Sequence, residues 1–214
     1  MKFYRFLIAV FAIVLSFTSM PAQAIDFEPY AGGGYGGFLI DAGLGSGKTA
    51  GGYGILGADL HENYGVELRF GNIGGYSAFD TPVAADAPPV VAMANQVLND
   101  PIITTAPSPV EIDIDWFISY LFKLQFPVDE NFNVYGLIGG TTMHSNIYFK
   151  ILGRTGHTTK TSLSYGGGID YKVGDQWLLG LDAMVYSNDA NTNPGTNFSG
   201  LDVWGLTATM KYKF

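Results

Sequence analysis

Glu111-Ile112-Asp113-Ile114-Asp115-Trp116-Phe117-Ile118-Ser119-Tyr120-Leu121-Phe122-Lys123-Leu124-Gln125-Phe126 is the stretch on which the fold turns. Ile112, Ile114, Trp116, Ile118, Tyr120, Phe122, Leu124 and Phe126 take every second place. Asp113, Asp115, Phe117, Ser119, Leu121, Lys123 and Gln125 lie between them. A strand sends alternate side chains to opposite faces, so this pattern predicts one wholly apolar face and one mostly polar face.

The same period recurs along the chain. In 64–72, Val66, Leu68 and Phe70 oppose Glu67 and Arg69. In 161–173, Leu163, Tyr165, Ile169 and Tyr171 oppose Ser162, Ser164, Asp170 and Lys172. In 177–186, Trp177, Leu179, Leu181 and Val185 oppose Gly180, Asp182 and Met184. The last such segment, 204–214, sets Trp204, Leu206, Ala208, Met210, Tyr212 and Phe214 against Gly205, Thr207, Thr209, Lys211 and Lys213. Weaker, glycine-rich segments at 28–40, 51–61 and 132–143 bring the expectation to eight strands. Each is about 10–16 residues long. That suits a tilted membrane strand of about 9–11 residues better than a soluble strand of about 5–6.

Connections of two lengths separate these segments. Residues 62–63, 127–131 and 174–176 are tight; 41–50, 75–110, 144–160 and 187–200 are long. Short periplasmic turns alternating with long external loops is the arrangement of an outer-membrane barrel. Tyr64, Phe126, Phe132, Tyr171, Trp177, Tyr212 and Phe214 stand at strand ends beside the tight turns, where an aromatic girdle belongs. A soluble sandwich or lipocalin-like barrel also alternates. Here, however, the face carrying Lys and Asp also carries many Gly, Ser and Thr, as a narrow lumen requires.

Composition narrows the function classes. The 214 residues include 29 glycines and no cysteine, with 14% charged residues and a net charge of −8. A charge fraction this low excludes a disordered acidic chain. The acidic balance excludes a nucleic-acid partner. Zero cysteines exclude a disulfide scaffold and a thiolate metal site, and His61, His144 and His157 are too scattered for a zinc site. No metal, cofactor or catalytic residue is expected.

Residues 1–24 read as a signal peptide, with Lys2 and Arg5 before the apolar run 6–17 and a cleavage site Ala22-Gln23-Ala24. A 12-residue apolar helix spans only about 18 Å, too short for an anchor. Removing Lys2 and Arg5 takes the net charge from −8 to −10. The barrel domain is expected over 25–214. Its 75–110 loop holds six of the ten prolines, and Val90, Met93, Ala94, Val97 and Leu98 there have the spacing of a short amphipathic helix.

The chain resembles the small eight-stranded outer-membrane barrels of the OmpA, OmpX and opacity type. Tyr120 to Gly140, with Pro127-Val128-Asp129-Glu130-Asn131 at its centre, is similar to that family's fourth and fifth strands in length and phase. Gly166-Gly167-Gly168-Ile169-Asp170-Tyr171 is similar as well, and Phe214 after Tyr212 resembles the terminal signal read by the barrel-assembly machinery. The resemblance implies a Gram-negative outer membrane, outer-membrane lipid and lipopolysaccharide around a monomer, the assembly machinery as partner, and a structural role with adhesion-like surface contact to a host or surface partner through the loops. A narrow solute channel and a lipid A-modifying enzyme are the alternatives. By strand phase, Glu67, Lys123 and Asp170 match lumenal plug positions. The family's lumenal arginine on strand seven is Gly180 here, and Arg69 or Lys211 can supply the missing charge. Lys123 is the expected partner of Asp170, shared with Glu67. Filling and neutralising a narrow lumen is the preferred role of these charges, ahead of a gate.

Three tempting motifs are refused. Gly43 to Thr49 resembles a phosphate loop, but the position needing its first glycine is Ala42 and no helix follows. Gly32 to Gly37 fits a dinucleotide fingerprint only because nearly every position is glycine. His144-Ser145 lacks the intervening residue of the deacylase pattern, and neighbours in a strand point to opposite faces.

Overall fold

The computed structural model describes residues 27–41, 46–78, 110–149, 154–188 and 201–214. The expected signal peptide, the Pro-rich segment 79–109 and the helix spacing at 90–98 lie outside the described residues.

The strands are β1 (Glu28–Asp41), β2 (Ser46–His61), β3 (Tyr64–Ala78), β4 (Val110–Pro127), β5 (Phe132–Phe149), β6 (Arg154–Val173), β7 (Trp177–Asn188) and β8 (Asp202–Lys213). Each pairs antiparallel with its sequence neighbour. The barrel closes between β1 and β8, from Tyr30 opposite Lys213 to Asp41 opposite Asp202. Closure leaves no unpaired edge, which a strand surrounded by lipid cannot tolerate.

Three tight turns gather at one end with the C-terminus. In the β4–β5 turn, Asp129 Oδ1 accepts from the amides of Asn131 (2.8 Å) and Phe132 (2.7 Å). In the β6–β7 turn, Gly174 takes φ 71°, which a side chain would oppose. At the opposite end the strands run further than expected. β5 and β6 together absorb most of 144–160 into a long hairpin, and β2 already begins at Ser46.

The outward face carries the apolar residues. Phe126, Leu124, Phe122, Tyr120, Ile118 and Trp116 are all exposed on β4. Trp116 and Phe126 are ten positions apart, as are Trp204 and Phe214. Ten residues at about 3.4 Å each, tilted by about 40°, rise about 26 Å, which is the height of a membrane band between two girdles. Near the tight turns, Trp177 packs edge-on against Tyr212, and Tyr212 against Phe214.

One expectation needs correction. The alternation of 111–126 does not keep a single phase. A bulge between Ile114 and Trp116 sets two residues of β4 against one of its neighbour. Below it, Phe117, Ser119, Leu121, Lys123 and Gln125 are buried inside. Above it, Ile112 and Ile114 turn inward, and Asp115 is exposed outside. Outside a membrane the polarity of a barrel must invert, because water then surrounds the wall. The bulge makes that inversion at the level of Trp116.

Candidate functional site

The lumen is filled from the tight-turn end upward by one connected set of charges. At the bottom, Lys213 Nζ on β8 lies 2.8 Å from Asp59 on β2 and 2.8 Å from Glu28 on β1. Gln125 donates to Asp59 at 2.7 Å, and Asn133 donates to Gln125 at 2.8 Å. One level higher, Lys123 Nζ sits 3.6 Å from both Asp59 and Asp170. Lys211 Nζ donates to both oxygens of Asp170 at 3.0 Å and lies 3.9 Å from Glu67. Above them Arg69 bridges Glu67 at 2.5 Å and Asp182 at 2.8 Å.

Tyrosines bind this set together. Tyr30 donates to Glu67 at 3.0 Å. The rings of Tyr30 and Tyr135 flank both lysine heads, Lys123 at 5.1 and 5.0 Å and Lys211 at 5.9 and 4.6 Å from the centroids. Arg69 donates to the hydroxyls of Tyr53 (3.0 Å) and Tyr186 (3.3 Å). Glycines make room for two of these rings. A Cβ at Gly34 would overlap the Tyr53 ring, and one at Gly57 the Tyr30 ring. A charge this deep is tolerable only when paired, and here each lumenal carboxylate faces at least one cation.

The five charges read from the sequence, Glu67, Arg69, Lys123, Asp170 and Lys211, all come together in this set. Their pairing differs from expectation. Asp170 takes Lys211 as its close base, with Lys123 more distant and shared with Asp59 instead of Glu67. Gly180 is no vacancy for an arginine. A Cβ there would run into the Asp170 carboxylate, the Thr209 hydroxyl and the carbonyl of Ile169. Asp59, Asp182 and the lumenal tyrosines were missed. Asp182 was visible on the polar phase of β7. Asp59, Tyr53 and Tyr30 were hidden because glycine interrupts the alternation of β1 and β2. Tyr212 and Phe214 sit together at the closing seam, where the amide of Phe214 donates to the carbonyl of Pro29 at 3.1 Å.

The two ends of the lumen are unlike. Beyond the ion pairs, Ser164 and Ser119 both bond the Thr141 hydroxyl at 2.7 Å. Above that the interior is mainly apolar, packed by Phe38, Ile40, Ile73, Ile112, Ile114, Phe117 and Val203, each at most 3% exposed, with Ser145 and Ser187 buried beside them. The tight-turn end opens instead into a vestibule of about 550 Å³, lined by Asp59, Asp170, Asn133 and Lys213 and rimmed by Glu62, Asp129, Glu130 and Asp175.

The refused motifs gain no site. Ser145 points inward and is 2% exposed, while His144 lies on the outer wall with Nδ1 2.8 Å from the Thr159 hydroxyl. Gly47, Lys48 and Thr49 lie in β2. Among the described residues no group of His, Asp or Glu is placed to hold a metal ion.

A closed antiparallel barrel with an apolar outside, two aromatic girdles and a salt-bridged interior defines an outer-membrane barrel. The chain belongs to the outer membrane protein beta-barrel domain family, whose model matches residues 9–214. It resides in the outer membrane of a Gram-negative bacterium. Among solved structures it is similar to Ail, the attachment invasion locus protein of Yersinia pestis, at 15% identity and a TM-score of 0.53, covering 88% of this chain and 99% of that one. That protein was solved in complex with a heparin analogue, sucrose octasulfate. Neisserial surface protein A is similar at 12% identity and a TM-score of 0.54, covering 87% of this chain and 97% of that one. At these identities the likeness is one of fold. No curated protein sequence matches the chain closely enough to count as a relative.

Proposed function

We propose that this protein is a non-catalytic barrel that braces the outer membrane and makes surface contacts through its external end. The observation that carries this reading is the filled lumen. Ion pairs from Lys213 to Asp182 occupy its lower and middle parts, and an apolar plug follows. An eight-stranded barrel is just wide enough for its own side chains, and these leave a vestibule at the tight-turn end. Chemistry has no support in the His144-Ser145 pair, whose members face opposite sides of the wall.

The surface-contact part of the proposal draws on the attachment protein of Yersinia pestis. A polysulfated ligand fits the β3–β4 connection poorly. No Lys or Arg occurs between Arg69 and Lys123, while Asp80, Asp86, Asp100, Glu111, Asp113 and Asp115 do. A partner with basic or neutral chemistry suits that connection better, and the bases of the external end, Lys48, Lys150, Arg154 and Lys160, belong to its neighbours.

Purified protein in planar bilayers tests the closed lumen, and lipid A profiling of a deletion strain tests the absence of catalysis. The expected results are no stepwise conductance and an unchanged lipid A profile. Steady conductance supports the channel alternative, and a lost acyl or added acyl species supports the enzyme.

A further inference from the structure

Two features of the outer wall meet at Trp116, and neither serves the lumen. The first is a groove of about 590 Å³ across β2, β3 and β4. Gly52, Gly54 and Gly71 contribute to its lining together with Phe70, Trp116 and Ile118. It lies just below the bulge, so it falls within the outer part of the apolar band. Asn72 and Asp115, both exposed, form its polar rim. At this depth water is excluded, and what covers the groove is hydrocarbon.

The second feature is a polar ladder on β5 and β6 immediately above the band. Ile138 and Leu163 are the last strongly exposed apolar residues on these two strands within the band. Above them Thr142 faces Thr161 with hydroxyls 2.8 Å apart. His144 Nδ1 then meets the Thr159 hydroxyl at 2.8 Å, and His157 Nδ1 meets Asn146 Oδ1 at 2.6 Å. The rings of Trp116, His144 and His157 stack in a row, 5.6 and 5.9 Å apart and within 9° of parallel. Each imidazole is thereby fixed by its Nδ1, and its Nε2 has no partner among the described residues. A row of fixed, outward-facing polar groups stands where lipid headgroups stand, one strand away from a groove where chains lie.

The geometry points to a phosphorylated glycolipid of the outer leaflet, lipid A, held on this wall. One acyl chain lies in the glycine groove, and the sugar-phosphate headgroup meets the histidine ladder. This deepens the outer-membrane reading by naming its lipid partner, and it rests on that reading. Hydroxyls and imidazoles suit a sugar phosphate. His144 can accept from the Thr159 hydroxyl through Nδ1 and donate through Nε2 to a phosphate, whereas His157 donates through Nδ1 to Asn146 Oδ1 and so offers Nε2 as an acceptor for a sugar hydroxyl. Asp115 has the same sign of charge as the phosphate, so magnesium belongs in the assay as a bridge between them.

The test uses the full chain purified from outer membranes, with magnesium present, and native mass spectrometry to measure retained lipid. Probes are lipid A, lipid A without phosphates, and phosphatidylglycerol. Gly52→Leu fills the groove; a Cβ there has 3.3 Å to its nearest neighbours, which is tight but not blocked. His144→Ala with His157→Ala removes the ladder's rings. Gly37→Leu is the control, on the outer wall with nothing within 4 Å of the added Cβ. Heat-modified gel migration confirms that every variant is folded.

Retention of lipid A about tenfold above phosphatidylglycerol is expected for the parent, a difference of about 1.4 kcal/mol. Both Gly52→Leu and the histidine pair should lose most of that preference, and Gly37→Leu should keep it. Removing the phosphates should cost the parent more than it costs the histidine variant. Equal retention of the two lipid classes by the parent overturns the inference. So does unchanged retention in either groove or ladder variant. Absence of the parent from the outer membrane is a different failure, and it would overturn the outer-membrane reading itself.

Discussion

Two lysines share Asp170, and their distances separate their roles. Lys211 gives it two bonds of 3.0 Å and also approaches Glu67 at 3.9 Å, whereas Lys123 stays 3.6 Å from Asp170 and from Asp59. Removing one partner of a buried pair costs about 3–5 kcal/mol, because the other charge is left behind. Lys211→Ala is therefore expected to lower the unfolding midpoint in urea by the larger amount. Lys123→Ala should cost less, since Asp59 keeps Lys213 at 2.8 Å and Asp170 keeps Lys211. Equal loss in the two variants would sink this ranking. Gly180→Arg should destabilise as well, because the site is occupied by Asp170 and Thr209; a raised midpoint there would show that the wall can relax around an added side chain. Strand phase brought five of these charges to the lumen from sequence alone, but not their pairing. Phase gives the face and the approximate height of a residue, while a lumen lets a side chain reach across to several strands. Lys211 was among the charges read, yet the distance from β8 to β6, across Gly180, is a property of the closed barrel.

The bulge in β4 is the element whose meaning differs most between sequence and structure. Along 111–126 the apolar residues alternate without a break, so the string itself shows no change of phase. The acids held the missing signal. No Lys or Arg occurs between Arg69 and Lys123, and three carboxylates as close in sequence as Glu111, Asp113 and Asp115 do not belong together in a narrow lumen. Turning Asp115 to water and Ile112 and Ile114 inward resolves that conflict. Deleting Asp115 removes the extra residue and joins Ile114 directly to Trp116. Trp116 faces outward, so plain alternation still turns Ile114 and Ile112 inward, and the plug should survive the deletion. Ile114→Asp instead puts a carboxylate into the apolar plug among Phe38, Ile40 and Ile73. The expected result is a loss of several kcal/mol in urea unfolding from lipid vesicles for Ile114→Asp, and a much smaller loss for the deletion. An unchanged midpoint for Ile114→Asp would mean that position 114 does not face the plug.

At the scale of the molecule, closure joins β1 to β8 and brings residues 29 and 214 together. Eight strands, their order and the girdle at the tight-turn end were legible because each strand is long and separately alternating. Strand ends beyond the membrane were not, since Thr, His and Asn there are as common in loops as in strands. The closing seam also separates two roles that one residue can have, in the folded state and in reaching it. The Phe214 ring is 74% exposed and packs mainly on Tyr212. Its contribution to the finished barrel is therefore small, about 1 kcal/mol or less for the fraction of ring that is covered. If the terminal aromatic is instead what the assembly machinery reads, its loss must act before the barrel exists. Phe214→Ala keeps the amide bond to Pro29 and removes only the ring. Refolded in detergent, it should unfold within about 1 kcal/mol of the parent. In cells, the amount of folded barrel in the outer membrane should fall several-fold, with the difference lost to periplasmic proteolysis. A variant that is stable in detergent but scarce in the membrane supports the assembly reading. Equal amounts in the membrane would remove it, and a parallel loss in both measurements would make Phe214 an ordinary packing residue of the seam.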